Sequence, residues 1–141
     1  MSTVVQPEQI LQSWLQQLSS LIDDVEAGAS ELGWSARRVD IELSDAEVGK
    51  YQAPSLFLEQ GACEIWVYPR YRDTPNDEGV VEVDLMPGMD DIVTLRFQHG
   101  DWKFRVRPQS CLNSDCPVRT GESLTRESIR KVLDAVTRHE V

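Results

Sequence analysis

The strongest constraint in the sequence is a run of period-two alternation between residues 55 and 107. Cys63, Ile65 and Val67 alternate with Glu64, Trp66 and Tyr68. Val81, Val83 and Leu85 alternate with Glu82 and Asp84. Val93, Leu95 and Phe97 alternate with Thr94, Arg96 and Gln98, and Trp102, Phe104 and Val106 with Lys103, Arg105 and Arg107. Successive strand side chains point to opposite faces, so each segment is a strand with one apolar and one polar face. The connections are short and built from turn formers: Gly61; Pro75, Asn76, Asp77 and Gly79 within 72–79; Pro87-Gly88; and His99-Gly100-Asp101. Connections of that length favour an antiparallel meander over parallel crossovers.

The flanking segments have a different period. From Pro7 to about Leu32, Leu11, Trp14, Leu15, Leu18, Leu21, Ile22, Val25 and Leu32 recur at three- and four-residue steps, which predicts a long amphipathic helix. Pro7 suits its first turn, and Gly28 and Gly33 offer two stopping points. A second helix is expected from about Leu124 to His139, with Ser123 or Thr125 as N-cap and a stripe of Ile129, Val132, Leu133 and Val136. Between the first helix and the meander, Val39, Ile41 and Leu43 alternate with Arg38, Asp40 and Glu42 as a further strand. Ser44 to Pro54 is polar and reads as a loop. The expected fold is therefore α+β: residues 1–141 form one domain, with about six mostly antiparallel strands and both helices on one sheet face. A first helix of about 35 Å exceeds a six-residue strand of about 20 Å. Part of its stripe is thus expected to overhang and meet a partner such as a second copy.

The 24 acidic and 14 basic residues leave a net charge of −10, which repels phosphate backbones, so no nucleic-acid partner is expected. The longest apolar run is Ile65 to Tyr68, far too short for a membrane span, and the first residues lack the pattern of a secretory signal. Three cysteines, an odd and sparse set, fit a reducing cytoplasmic setting, although Cys111 and Cys116 could close a small disulfide if their loop allows it. Dinucleotide, nucleophile-elbow, zincin and paired CxxC motifs are missing. Gly28-Ala29-Ser30-Glu31-Leu32-Gly33 has the glycine spacing of a phosphate loop, but Trp34 stands where that loop needs lysine. A zinc site is not expected, because a sequential meander holds Cys63 about three strand spacings from the Cys111 loop, roughly 14 Å. No cofactor, metal or catalytic residue is therefore assigned.

Two surfaces stand out. At one end of the meander, His99 and Asp101 meet the loop bearing Asp73, Asp77 and Glu78. Such a set can carry a proton or hold a hard cation, but it also matches ordinary turn chemistry. On the polar sheet face, Trp66 and Tyr68 lie beside Glu82 and Asp84 and the basic residues Arg96, Lys103, Arg105 and Arg107. Residues 92–107 carry net +3 within a chain of −10, so the remainder carries −13. Aromatic anchors next to an arginine cluster suit a carboxylate-rich partner, whereas cross-strand ion pairs on a solvated sheet would explain the same residues structurally.

In size and acidity the chain resembles the small secretion chaperones of the type III class, which are acidic and often dimeric. That family's pattern places a helix within the strand series, and Val80 to Arg107 offers none. The resemblance is thus one of composition, and no residue is carried over. The expectation is a non-catalytic, cytoplasmic protein-binding domain of adaptor or chaperone type, with a protein partner or self-association. The binding residues expected are Trp66, Tyr68, Arg96, Lys103, Arg105 and Arg107. The alternative is a small-ligand binder or hydrolase using the sheet face or the His99 end.

Overall fold

The alternating segments pair as their short turns require. The computed structural model describes residues 7–72, 79–86, 93–98, 100–106 and 122–138. Helix α1 (Pro7–Glu31) is followed by β1 (Ser35–Asp45), β2 (Gly49–Gln60), β3 (Cys63–Arg72), β4 (Gly79–Leu85), β5 (Val93–Gln98), β6 (Asp101–Val106), the two-residue β7 (Glu122–Ser123) and α2 (Arg126–Arg138). The strands form one open antiparallel sheet in sequential order, β1 to β7. The expected α+β meander, with a helix at each end, is the observed fold.

One sheet face carries Leu56, Leu58, Ile65, Val67, Val81, Val83, Val93, Leu95 and Phe104, all buried. They share a single core with Trp14, Leu18, Leu21, Ile22, Val25 and Ala29 of α1 and with Ile129, Val132, Leu133 and Val136 of α2. Both helices thus cover the face predicted to be apolar. Their ends follow from local chemistry. At the end of α1, Trp34 N donates to Ala29 O at 3.0 Å and Gly33 N to Ser30 O at 3.1 Å, with Gly33 at φ 89°. This is a Schellman termination, and the positive φ is why glycine stands there. Of the two stopping points read from the sequence, Gly33 is used. Gly28 lies within the helix, where an added Cβ would fall 2.7 Å from Ile129 Cδ1, so it allows α2 to approach closely. Thr125 Oγ1 accepts from Ser128 N at 3.2 Å and caps α2.

The segment expected to be a loop, Ser44 to Pro54, is instead the turn end of a long hairpin. β1 pairs with β2 from Ser35↔Glu59 to Asp45↔Gly49 without interruption. Asp45 builds the turn by accepting from the backbone N–H groups of Glu47 at 2.7 Å and Val48 at 3.2 Å, and Gly49 has φ 81°. The hairpin also changes the expected overhang of α1. Twenty-five helical residues span about 37 Å, and the 12 residues of β2 span about 40 Å. The helix therefore has a strand of its own length beneath it. Near its start, Trp14 is buried, donates from Nε1 to the Tyr51 hydroxyl at 3.1 Å, and would clash with any Cβ at position 79.

The hairpin turns over along its length. Ala36 and Leu43 both pack on the core although they lie an odd number of residues apart, and so do Ala53 and Leu56. β2 pairs with β3 only as far as Leu56↔Val67. Continuing that register would set Pro54 opposite Pro69, and neither residue has an N–H to donate. Beyond that point the β1–β2 ribbon is freed from β3 and takes the stronger twist of a two-stranded ribbon. Arg72 ties its far end back to β3, with Nε 3.0 Å from Asp45 Oδ2 and Nη2 2.7 Å from Glu47 Oε1.

Candidate functional site

The face turned away from both helices is assembled by register. Arg37 pairs with Phe57, Phe57 with Trp66 and Trp66 with Asp84. One step along, Tyr68 pairs with Glu82, Glu82 with Thr94 and Thr94 with Arg105. Val80, Arg96 and Lys103 form the next row. Trp66, Tyr68, Arg96, Lys103 and Arg105 therefore occupy positions on one face, Arg105 through its strand pairing. Arg107 lies outside the described residues.

The aromatic residues form a continuous stack across two strands, Phe57 on β2 and Trp66 and Tyr68 on β3. The Phe57 and Trp66 rings are 5.4 Å apart and nearly parallel at 6°, and Trp66 and Tyr68 are 4.0 Å apart at 24°. The Arg37 guanidinium carbon sits 5.1 Å from the Phe57 centroid. Each ring pair contributes about 0.5–1.5 kcal/mol beyond its buried area, and the exposed cation–π contact about 0.5–1 kcal/mol. Phe57 and Arg37 were not read as site residues from the sequence. The signal for Phe57 is present, since it lies between the core residues Leu56 and Leu58 and must face the other way. Arg37 falls just before the strand as read.

Beneath the stack the face is not a solvated layer of ion pairs. Glu82 is 7% exposed and Asp84 1%. The Tyr68 hydroxyl lies 2.7 Å from Asp84 Oδ2 and 2.9 Å from Glu82 Oε2. Arg70 Nη1 donates to the same Glu82 oxygen at 2.8 Å and is itself 41% exposed. A phenol has one proton to give, so the two carboxylates share it. Burial, reinforced by Asp84 and then Glu82, pushes the Tyr68 hydroxyl far above the usual tyrosine range, so it is a fixed donor. Tyr68 is 7% exposed and belongs to the floor of the site, whereas Phe57 and Trp66 are half-buried and form its apolar surface. The Trp66 Nε1–H is buried and has no acceptor among the described residues.

The other sequence-derived constellations are only partly described. Asp101 accepts from Ser123 Oγ at 2.7 Å, which ties β6 to β7. His99, Asp73, Asp77, Glu78, Cys111 and Cys116 lie outside the described residues. Cys63 is unbridged and half-buried, on the wall of an open groove of about 380 Å³ that also carries Arg130 and Asp134 of α2. Among the described residues, no group of three His, Cys, Asp or Glu side chains is placed to hold a metal ion. Nor is any helix among them long and apolar enough to cross a membrane.

No known protein family, curated protein or solved structure matches this chain.

Proposed function

We propose that the protein is a non-catalytic, cytoplasmic protein-binding domain of adaptor or chaperone type, and that the sheet face turned away from α1 and α2 holds an acidic segment of a partner. The observation that carries this reading is the Arg37–Phe57–Trp66 platform lying in the same sheet face as the basic positions of β5 and β6. Stacked aromatic rings give rigid contact area at little entropic cost. Arg96, Lys103, Arg105 and Arg107 supply the local positive charge in an otherwise acidic chain, and long basic side chains recognise carboxylates. The same charge distribution steers an acidic segment to this face and away from the rest of the surface. An unbridged Cys63 fits a reducing compartment.

The test is a calorimetric titration with a short polyglutamate peptide capped by tryptophan, alongside a polylysine control. Binding of the acidic peptide is expected, weakened about tenfold or more (~1.4 kcal/mol) in a Lys103→Glu, Arg105→Glu variant. Preference for polylysine, or an affinity unchanged in that variant, would overturn the reading.

A further inference from the structure

The two edges of the sheet are unlike. At one, β7 is two residues long and leads directly into α2. At the other, β1 presents 11 residues, paired among the described residues on one side only, by β2. An edge of that length is a template for another strand, because its outward N–H and C=O groups have no partner in the sheet. Val39 and Ile41, half-buried and β-branched, lie on this strand outside the core. Edge strands are often protected by charge, so the order of the charges on β1 decides what it accepts.

That order is polarised. Arg37 and Arg38 stand in the first half, with Arg38 also bridging Asp23 and Glu26 of α1, and Asp40, Glu42 and Asp45 stand in the second, with Asp45 also held by Arg72. A second copy laid antiparallel along the edge brings each basic half onto an acidic half. A two-fold axis perpendicular to the sheet keeps the faces matched, so paired positions share parity and the axis passes through one residue. Centring on Arg37, Arg38, Asp40 or Glu42 sets that charge against its own copy. Centring on Ile41 opposes Asp40 and Glu42 twice at the centre and brings Arg37 onto Asp45, already held by Arg72, only at the ends. Centring on Val39 opposes Arg38 and Asp40 twice, pairs Arg37 with Ile41, Ala36 with Glu42 and Ser35 with Leu43, and opposes no like charges. Opposite charges directly across a ladder stabilise it, and like charges destabilise it.

We propose that two copies of this chain join edge to edge through β1, antiparallel about Val39, into one continuous sheet. Both pairs of helices then lie on the same side, and both aromatic faces on the other. This interface uses the edge of the sheet and does not rest on the peptide-binding reading of its face.

Sedimentation equilibrium of the full chain across the micromolar range tests it. The expected result is a dimer of the 16.0 kDa chain. Asp40→Arg places two arginines opposite each other at both symmetry-related sites and is expected to weaken the dimer about tenfold or more. Asp40 is exposed, so far-UV circular dichroism and the urea midpoint should stay near wild type. Glu42→Arg, which opposes Ala36 in this register, is expected to leave the dimer intact. A monomer at high micromolar concentration would overturn the proposal. So would a dimer insensitive to Asp40→Arg, as expected of a contact through α1 or the sheet face, or one broken by Glu42→Arg but not by Asp40→Arg. Polyglutamate binding by the Asp40→Arg variant reads the sheet face separately.

Discussion

Tyr68 shows how one side chain changes role between sequence and structure. Its alternation places it on the polar face, as an aromatic residue available for contact. Its hydroxyl instead sits between two carboxylates that are almost completely buried. Removing that hydroxyl takes one donor away from two buried carboxylates, so Tyr68→Phe is expected to destabilise the fold by about 1–3 kcal/mol at neutral pH. The pH dependence has a definite sign. The folded value of Tyr68 is raised, so its contribution is complete below the ordinary tyrosine value near 10 and is lost as pH rises above it. Urea unfolding of wild type and Tyr68→Phe should therefore show a stability gap that is constant below about pH 9 and narrows in more alkaline buffer. A gap that widened there would contradict the hydroxyl's role. The burial of Glu82 and Asp84 was not legible in the sequence. Alternation reports the direction of a side chain, and what then closes over it depends on neighbours such as Trp66 and Arg70.

At the scale of elements, the sequence shows best where burial is one-sided and continuous. The strands from β3 to β6 and both helices have that character, and their apolar residues are those found in the core. The far half of the β1–β2 hairpin lacks it. Only Leu43, Tyr51 and Ala53 there face the core, among Ser44, Lys50 and Gln52, and the parity of burial reverses along the ribbon. A polar segment bounded by Gly49 and Pro54 has the composition of a loop while having the pairing of a strand. What holds it is Asp45. Arg72 keeps the Asp45 carboxyl below the usual carboxylate range, with the Glu47 and Val48 amides adding to the effect against a cost of burial. A depressed folded value means the stabilisation is present above pH about 4 and is lost as pH falls through the folded value. Asp45→Asn is expected to cost about 1–2 kcal/mol at neutral pH, and its urea midpoint should converge on that of wild type in acid.

The seating of α1 is also testable. An added Cβ at Gly79 runs into the six-membered ring of Trp14, a rigid and buried group, whereas at Gly28 the nearest atom is the terminal methyl of Ile129, which can swing. Gly79→Ala is expected to destabilise by about 1–3 kcal/mol, and Gly28→Ala by clearly less, since alanine also favours the helix. Equal thermal melting of the two variants would argue against this seating.

For the molecule as a whole, the contrast between the two sheet faces follows from the layering. One sheet face is occupied by both helices and supplies the core. The other carries the aromatic stack and the basic strands, and β1 leaves one edge long and open. The sequence revealed the two faces and the charge asymmetry, because both are written in period two. It concealed the length of the edge, because β1 and β2 extend through the segment that composition marks as a loop. The proposed peptide site is tested most directly by mapping which residues an acidic ligand perturbs. Amide chemical-shift mapping with the tryptophan-capped polyglutamate peptide should show shifts at Trp66, Thr94, Arg96 and Lys103, with α1 and α2 unmoved. Shifts confined to the helices or to the groove beside Cys63 would contradict it.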